Sequence, residues 1–181
     1  IYHEGHRLES LSFKLLELFV VKREHIPFRP SSVDKLVCRL EKGLSPVFLR
    51  TGVHLQVSCP GSPLFCEPDL LLTALLNLCD NARKASSAGD TVYLSGSISE
   101  QWYSFTVVDQ GIGMTEEQLA NATQPFFMAD KSRSRAQNGA GLGLSLCAAV
   151  AELHGGTLHL HSVPQQGTTV TLTIPTGGTA Q

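Results

Sequence analysis

The spacing of hydrophobic residues changes several times along this chain, and each change marks an element. Leu8, Leu11, Leu15 and Leu18 form a short heptad seam, which Phe13, Leu16 and Phe19 widen. A helix with that much apolar surface cannot bury it alone and needs a partner helix from another chain or from sequence outside this one. Pro27 and Pro30 end it. A second helix is predicted from Ser32 to about Leu49, capped by Ser31 or Ser32, with Val33, Leu36, Val37, Leu40 and Leu44 as its stripe. Val53, Leu55 and Val57 alternate as a strand does, closed by Cys59-Pro60-Gly61. A third helix spans roughly Pro68 to Ser86, with proline at an early position where its missing N–H costs nothing. Strands follow near Thr91–Ile98 and Trp102–Asp109, then a short helix near Thr115–Ala122. Thr123 to Asn138 is polar and without period; Gly139–Gly143 then opens a helix to about His154. Thr157–Ser162 and Thr168–Ile174 close the chain as a hairpin around Pro164–Gly167.

Helices first, then antiparallel strands with a helix between them, predict an α+β fold: a mixed sheet with helices layered on one face, preceded by one long helix. Three regions are expected: the leading helix (1–27), a globular domain (28–175) and a disordered Gly/Thr-rich tail (176–181). The chain starts without Met inside what reads as a helix, so it is read as part of something longer. At 42% hydrophobic and 17% charged, it can build a core without metals or disulfides. Net charge is −2 with the signs mixed, and no basic tract offers a nucleic-acid surface. Cys38, Cys59, Cys66, Cys79 and Cys147 are odd in number with no C-x-x-C pair, so they are read as reduced, buried thiols rather than a zinc site. No apolar run approaches the ~20 residues that span a bilayer, and no secretory signal is visible.

Four features carry chemistry. On the third helix, at ~100° per residue, Asn81 lies about 40° from Asn77 and Lys84 about 20° to its other side. The three share a stripe away from the arc of Leu71, Leu75, Leu78, Cys79 and Ala82. Asparagine is a poor helix former, so two at i, i+4 need a reason. An amide oxygen suits Mg²⁺, and a lysine one turn on can meet phosphate; the competing reading is a solvated polar face. Second, Asp109 shares strand parity with Tyr103, Phe105 and Val107 and projects inward at a strand end, where it can accept from an exocyclic amine such as adenine's. Gly111 and Gly113 then let a planar ring approach the backbone, although a plain strand-ending turn reads the same way. Third, Gly139-Ala140-Gly141-Leu142-Gly143-Leu144 exposes backbone N–H groups at a helix start, a phosphate cradle. Its spacing is neither the dinucleotide fingerprint nor a Walker loop. Fourth, Pro125-Phe126-Phe127 precedes Lys131, Arg133 and Arg135 in a long loop of the kind that serves as a lid over phosphates.

In this order, the four features resemble the boxes of the GHKL ATPase family, and within it the sensor histidine kinases. Asn77–Ala82 resembles the N box, Asp109–Gly113 the G1 box, Pro125–Phe127 the F box and Gly139–Leu144 the G2 box. His154-Gly155-Gly156, Ser162, Gly167-Thr168 and Ile174-Pro175 fit the family's ending, and the similarity runs from about Phe28 to Pro175. The resemblance implies a two-layer α/β sandwich holding ATP and Mg²⁺ between a helix layer and a lid. It implies that Asn81 coordinates Mg²⁺, Lys84 touches phosphate and Asp109 binds the adenine amine. Gly139, Gly141, Leu142 and Gly143 would line the phosphates, with Gly111, Gly113, Phe127 and Arg133 completing the nucleotide site. Asn77, Asn81 and Lys84 would form the catalytic set.

Relatives that hydrolyse ATP with water generally have Glu where Asn77 stands, and a neutral amide is a poor base. That favours a kinase whose nucleophile is an imidazole elsewhere. Arg7 to Leu18 resembles the second helix of a dimerisation and phosphoacceptor hairpin; the first, with the acceptor, would be absent, and His3 and His6 are read as surface residues. His159 and His161 are read as solvent-facing. Ala85 departs from the aromatic that often follows the N-box lysine, which puts adenine stacking there in doubt. The implied partners are the chain's own phosphoacceptor domain and a response regulator, in a homodimeric parent without nucleic acid. The expected site of action is the cytoplasm, for a soluble parent or for one anchored in a membrane. The alternatives are a catalytically inactive GHKL module that binds nucleotide to regulate, or a GHKL ATPase or serine kinase.

Overall fold

The computed structural model describes residues 26–128 and 141–177. The Leu8–Leu18 seam, His3, His6 and most of the polar loop, with Lys131, Arg133, Arg135 and Gly139, lie outside the described residues.

The first strand, β1 (Arg29–Ser32), leads into helix α1 (Val33–Thr51). Ser32 caps that helix by accepting from Lys35 N, and Gly52, at φ 69°, closes it by donating to Leu49 O. Val33, Leu36, Leu40, Leu44 and Phe48 are its buried stripe. Strands β2 (His54–Ser58) and β3 (Pro63–Cys66) follow, then helix α2 (Pro68–Ala85), which has Glu67 as N-cap and proline in its first turn. Strands β4 (Thr91–Ser99) and β5 (Trp102–Asp109) come next. Helix α3 (Glu116–Asn121) starts from a capping box of Thr115 and Gln118. Helix α4 (Gly143–Leu153) and strands β6 (Thr157–Val163) and β7 (Gly167–Pro175) finish the fold.

The main sheet runs β2-β4-β5-β7-β6; β2 and β4 pair in parallel and the other pairs are antiparallel. Inward alternation sets its buried face. Val92 and Leu94 of β4, Tyr103, Phe105 and Val107 of β5, and Val170, Leu172 and Ile174 of β7 meet the apolar sides of α1, α2 and α4. The opposite face carries hydroxyl pairs instead, Ser104 with Thr173 at 2.8 Å and Thr106 with Thr171 at 3.2 Å. His159 and His161 are exposed there, as expected from their strand parity. The helices thus form one layer over one face of a mixed sheet, the α+β architecture expected.

The sequence reading missed a second, two-stranded sheet, β1 with β3. Pro30 reads as the end of the leading helix and Cys59-Pro60-Gly61 as the close of a strand, but proline is tolerated on edge strands, and Pro30 and Pro63 both sit in this pair. This small sheet ties the entry of α1 to that of α2, helped by Val33 N donating to Ser62 O at 2.9 Å. Thr176, assigned to the tail, is held by Gln101 O at 2.7 Å and accepts from Phe65 N at 3.0 Å. None of the five cysteines is in a disulfide; Cys66, Cys79 and Cys147 are buried, whereas Cys38 is exposed and Cys59 half-buried. Among the described residues no helix is long and apolar enough to cross a membrane.

Candidate functional site

Helix α2 lies centrally in the helical layer, against both α1 and α4. Its polar stripe is half-buried rather than solvated. Asn77 donates Nδ2 to Thr73 O, 2.9 Å away on the preceding turn, which leaves its amide oxygen facing outward from the helix. The Asn81 amide makes no hydrogen bond among the described residues. Both face the first turn of α4: a β-carbon added at Gly143 would sit 3.3 Å from Asn81 Nδ2 and 3.4 Å from Asn77 Oδ1. The space beside the two amides therefore exists because residue 143 has no side chain, and the backbone N–H groups of a helix start border it.

The far ends of these helices are joined by a residue that sequence reasoning left without a role. His154 follows α4 and is 4% exposed, with Nδ1 at 2.7 Å from Val150 O. Its Nε2 accepts from Glu67 N, the N-cap of α2, at 3.1 Å, and Phe28 packs on the ring at 4.9 Å. One neutral tautomer satisfies both nitrogens, with Nδ1–H donating and Nε2 accepting. Burial lowers the His154 pKa, outweighing the partners that favour the charged ring. Because the start of α4 meets Asn77 and Asn81 while its end meets Glu67, the two helices run antiparallel. The only sequence signal for His154 was its place before Gly155-Gly156.

At the C-terminal end of α2 stands Asp109, 6% exposed. Its Oδ1 accepts from Gly111 N at 2.9 Å and Thr168 N at 3.3 Å. Its Oδ2 has no donor among the described residues, so a buried acceptor is left open toward the helical layer. Burial raises the Asp109 pKa, and the N–H groups of Gly111 and Thr168 oppose that rise. Gly111 is glycine of necessity, since a β-carbon there would collide with the Ala85 carbonyl, whose oxygen accepts from Ile112 N at 3.3 Å. Gly113, at φ 61°, lies against the Val163 carbonyl. The loop is held from the β6–β7 side: Gln165 N donates to Ile112 O at 2.8 Å, and Met114 N to Ser162 Oγ at 2.8 Å. Ser162 in turn lies 2.9 Å from Thr168 Oγ1, so Ser162 and Thr168 act as supports that the sequence marked without assigning roles.

The aromatic loop reaches the α4 end instead. Phe126 N donates to Gly141 O at 2.8 Å, and a β-carbon at Gly141 (φ 70°) would lie 2.7 Å from Phe126 C and Phe127 O. Phe126 has φ 65° and is 58% exposed, while Phe127 is half-buried. Leu142 is fully buried, so only its backbone is available to a ligand. Lys84 does not stand alone on the asparagine stripe; its Nζ pairs with Asp80 Oδ2 at 2.8 Å. The structure thus brings together Asn77, Asn81, Gly143 and Gly141 at one end and Asp109 and Gly111 at the other. Between residues 77 and 85, α2 rises roughly 12 Å. That arrangement suits a ligand with a hydrogen-bond-donating ring at the Asp109 end and anionic groups at the α4 end. Adenine and phosphates fit both: the open Asp109 oxygen matches an exocyclic amine, and the side-chain-free turn matches phosphate.

The family model for histidine kinase-, DNA gyrase B- and HSP90-like ATPases matches residues 66–178, from the end of β3 past β7. The sensor-like histidine kinase SenX3 of Mycolicibacterium smegmatis is 33% identical over 175 residues, 95% of this chain and 46% of that protein. The chain thus spans less than half the length of this curated relative. Full-length ShkA, solved in complex with AMPPNP, superposes with a TM-score of 0.81 at 22% identity, over 98% of this chain and 38% of that one. Histidine kinase ThkA, solved in complex with the response regulator TrrA, gives a TM-score of 0.77 at 18% identity, over 98% and 50%. The structures share the fold, and the family model spans the candidate site, from the asparagine helix to the strands that brace Asp109. This chain belongs to the histidine kinase-, DNA gyrase B- and HSP90-like ATPase family.

Proposed function

We propose that the chain is the ATP-binding catalytic part of a two-component sensor histidine kinase. It binds Mg·ATP and passes the γ-phosphoryl to a histidine on a dimerisation and phosphoacceptor domain, from which a response regulator takes it. The observation that carries this reading is the pair of α2 amides facing a side-chain-free turn of α4, while the C-terminal end of α2 meets a buried carboxylate with an open acceptor oxygen. The relatives named as sensor-like histidine kinases, and a fold neighbour solved with a response regulator, support the same reading.

Phosphoryl transfer asks for positioning and charge neutralisation rather than covalent help from the protein. Asp109 accepts from the adenine amine and fixes one end of the nucleotide; Gly111 and Gly113 allow the ring close to the backbone. The N–H groups at the start of α4 receive phosphate oxygens, and Gly141 and Gly143 keep that approach clear. Asn81 holds Mg²⁺, which when bound neutralises phosphate charge. Lys84 meets a phosphate, and Phe127, Arg133 and Gly139 complete the set of nucleotide contacts. Asn77 cannot take a proton from water, so the attacking group is the acceptor imidazole: an N–P bond forms, the bond from the γ-phosphorus to its bridging oxygen breaks, and ADP leaves. Since ATP and response regulators are cytoplasmic, the chain acts there, whether its parent is anchored or free, and the parent works as a homodimer.

Titration calorimetry with Mg·ATP on the wild type, Asn81→Ala and Asp109→Ala tests the site, and transfer of labelled phosphate to an added phosphoacceptor domain tests the activity. Mg²⁺-dependent binding lost in both variants, with label on a histidine, is the expected result. Absence of binding by the folded wild type refutes the reading. Binding without transfer leaves a module that uses nucleotide to regulate.

A further inference from the structure

Asp80, Arg83 and Lys84 lie on consecutive turns of α2 and form one ionic cluster beside Asn81. Arg83 grips Asp80 Oδ1 with both Nε and an NH2 group, at 3.0 and 2.7 Å. Lys84 Nζ takes the other oxygen, Oδ2, at 2.8 Å. The cluster is well covered: the Arg83 side chain is 13% exposed, that of Lys84 23% and that of Asp80 33%. Burial alone would raise the Asp80 pKa, but Lys84 and Arg83 outweigh it and hold the carboxyl below its usual range.

The charges have a consequence for an anionic ligand. Asp80 with Lys84 alone would be neutral and would offer phosphate little attraction. Arg83 cancels the carboxylate from its other side, so the cluster keeps one net positive charge. Arg83 is the more confined of the two cations, and Lys84 the more open and nearer the Asn77–Asn81 stripe. The ion pair also restricts a four-carbon side chain that otherwise loses much rotamer freedom on meeting a ligand.

We propose that Asp80, itself neutralised by Arg83, is a positioning residue that aims the Lys84 ammonium at the phosphates of the bound nucleotide. The proposal rests on the nucleotide-binding reading above and deepens it. Asp80 touches no ligand; it acts through Lys84, and that dependence is measurable.

The test is a double-mutant cycle read by titration calorimetry with Mg·AMPPNP on the whole chain: wild type, Asp80→Asn, Lys84→Met and the double variant, each checked for its melting transition. Asp80→Asn is expected to weaken binding about three- to tenfold, the scale of ordering a lysine afresh. In the Lys84→Met background the same substitution is expected to change nothing, and Asp80→Glu, which keeps an i, i+4 carboxylate, to restore most of the affinity. If Asp80→Asn fails to fold, Asp80→Gln, a better helix former, takes its place. Unchanged or tighter binding by the neutral variant would mean that Asp80 competes with phosphate for Lys84, and would overturn the proposal. Equal losses in both backgrounds would overturn it too, by showing an effect that does not pass through Lys84. A wild type that binds no nucleotide would fell the functional reading itself, which the other outcomes leave standing.

Discussion

Gly143→Ala separates stability from binding at a single atom. Gly143 is the first residue of α4, and nothing in its backbone conformation demands glycine. Alanine is the better helix former by up to ~1 kcal/mol in a helix interior and by less in a first turn. Against that gain, the new methyl would lie 3.3 Å from Asn81 Nδ2 and 3.4 Å from Asn77 Oδ1, a few tenths of an ångström too close. The Asn81 amide makes no hydrogen bond among the described residues, so it can turn aside at little cost. The balance is a variant as stable as the wild type or up to roughly 1 kcal/mol more stable, which for a domain of this size shifts the melting midpoint by about 2–4 °C at most. The methyl nevertheless fills the space between the two amides and the α4 turn, so Mg·ATP affinity is expected to fall at least ~10-fold, the cost of losing one or two charge-assisted hydrogen bonds. Calorimetric titration beside a thermal melt reads both quantities on one sample. A folded Gly143→Ala chain that binds Mg·ATP like the wild type would refute the reasoning, because the amides and the α4 turn would then not share a ligand.

Gly141→Ala puts a β-carbon at φ 70° and 2.7 Å from the Phe126–Phe127 backbone, so it is expected to destabilise as well as weaken binding, by about 1–3 kcal/mol in the melt. Asp109→Asn keeps an oxygen for Gly111 N and Thr168 N but turns an NH2 group toward the adenine amine; calorimetry should show the affinity gone. Its melting midpoint at neutral pH should be little changed or higher, because the buried carboxylate costs stability there. His154 supplies a pH signature. Its pKa is lowered by burial, so below the ordinary value of 6.5 the unfolded chain binds the extra proton and the folded one resists it. That part of the stability is fully present above pH ~6.5 and is lost as pH falls below it. Denaturant titrations from pH 7.5 to 5 should show the loss in the wild type, and His154→Gln should flatten it.

Much of the fold was legible because its information is local. The stripes of α1 and α2, the Ser32 cap, the proline opening α2 and the inward parity of Tyr103, Phe105, Val107 and Asp109 are set by residues a few positions apart, and period alone reveals them. The four glycine, asparagine and aromatic boxes could be read in order for the same reason. Which box faces which could not be. Gly143 opposes Asn77 and Asn81, and His154 clamps Glu67, only because α2 and α4 pack antiparallel; Gly111 seats on Ala85 because α2 lies against β5, and such pairings join positions far apart in sequence. The β1–β3 pair stayed hidden because each short, proline-marked segment becomes a strand only beside the other. Leu142 reads as part of a phosphate loop, and only packing shows that its side chain turns inward; the helical angle that puts Lys84 on the asparagine stripe records direction, not the carboxylate waiting one turn back at Asp80. Periodicity determined which residues point inward; the tertiary structure decided what they meet there, because close packing and charge pairing are properties of neighbours in space.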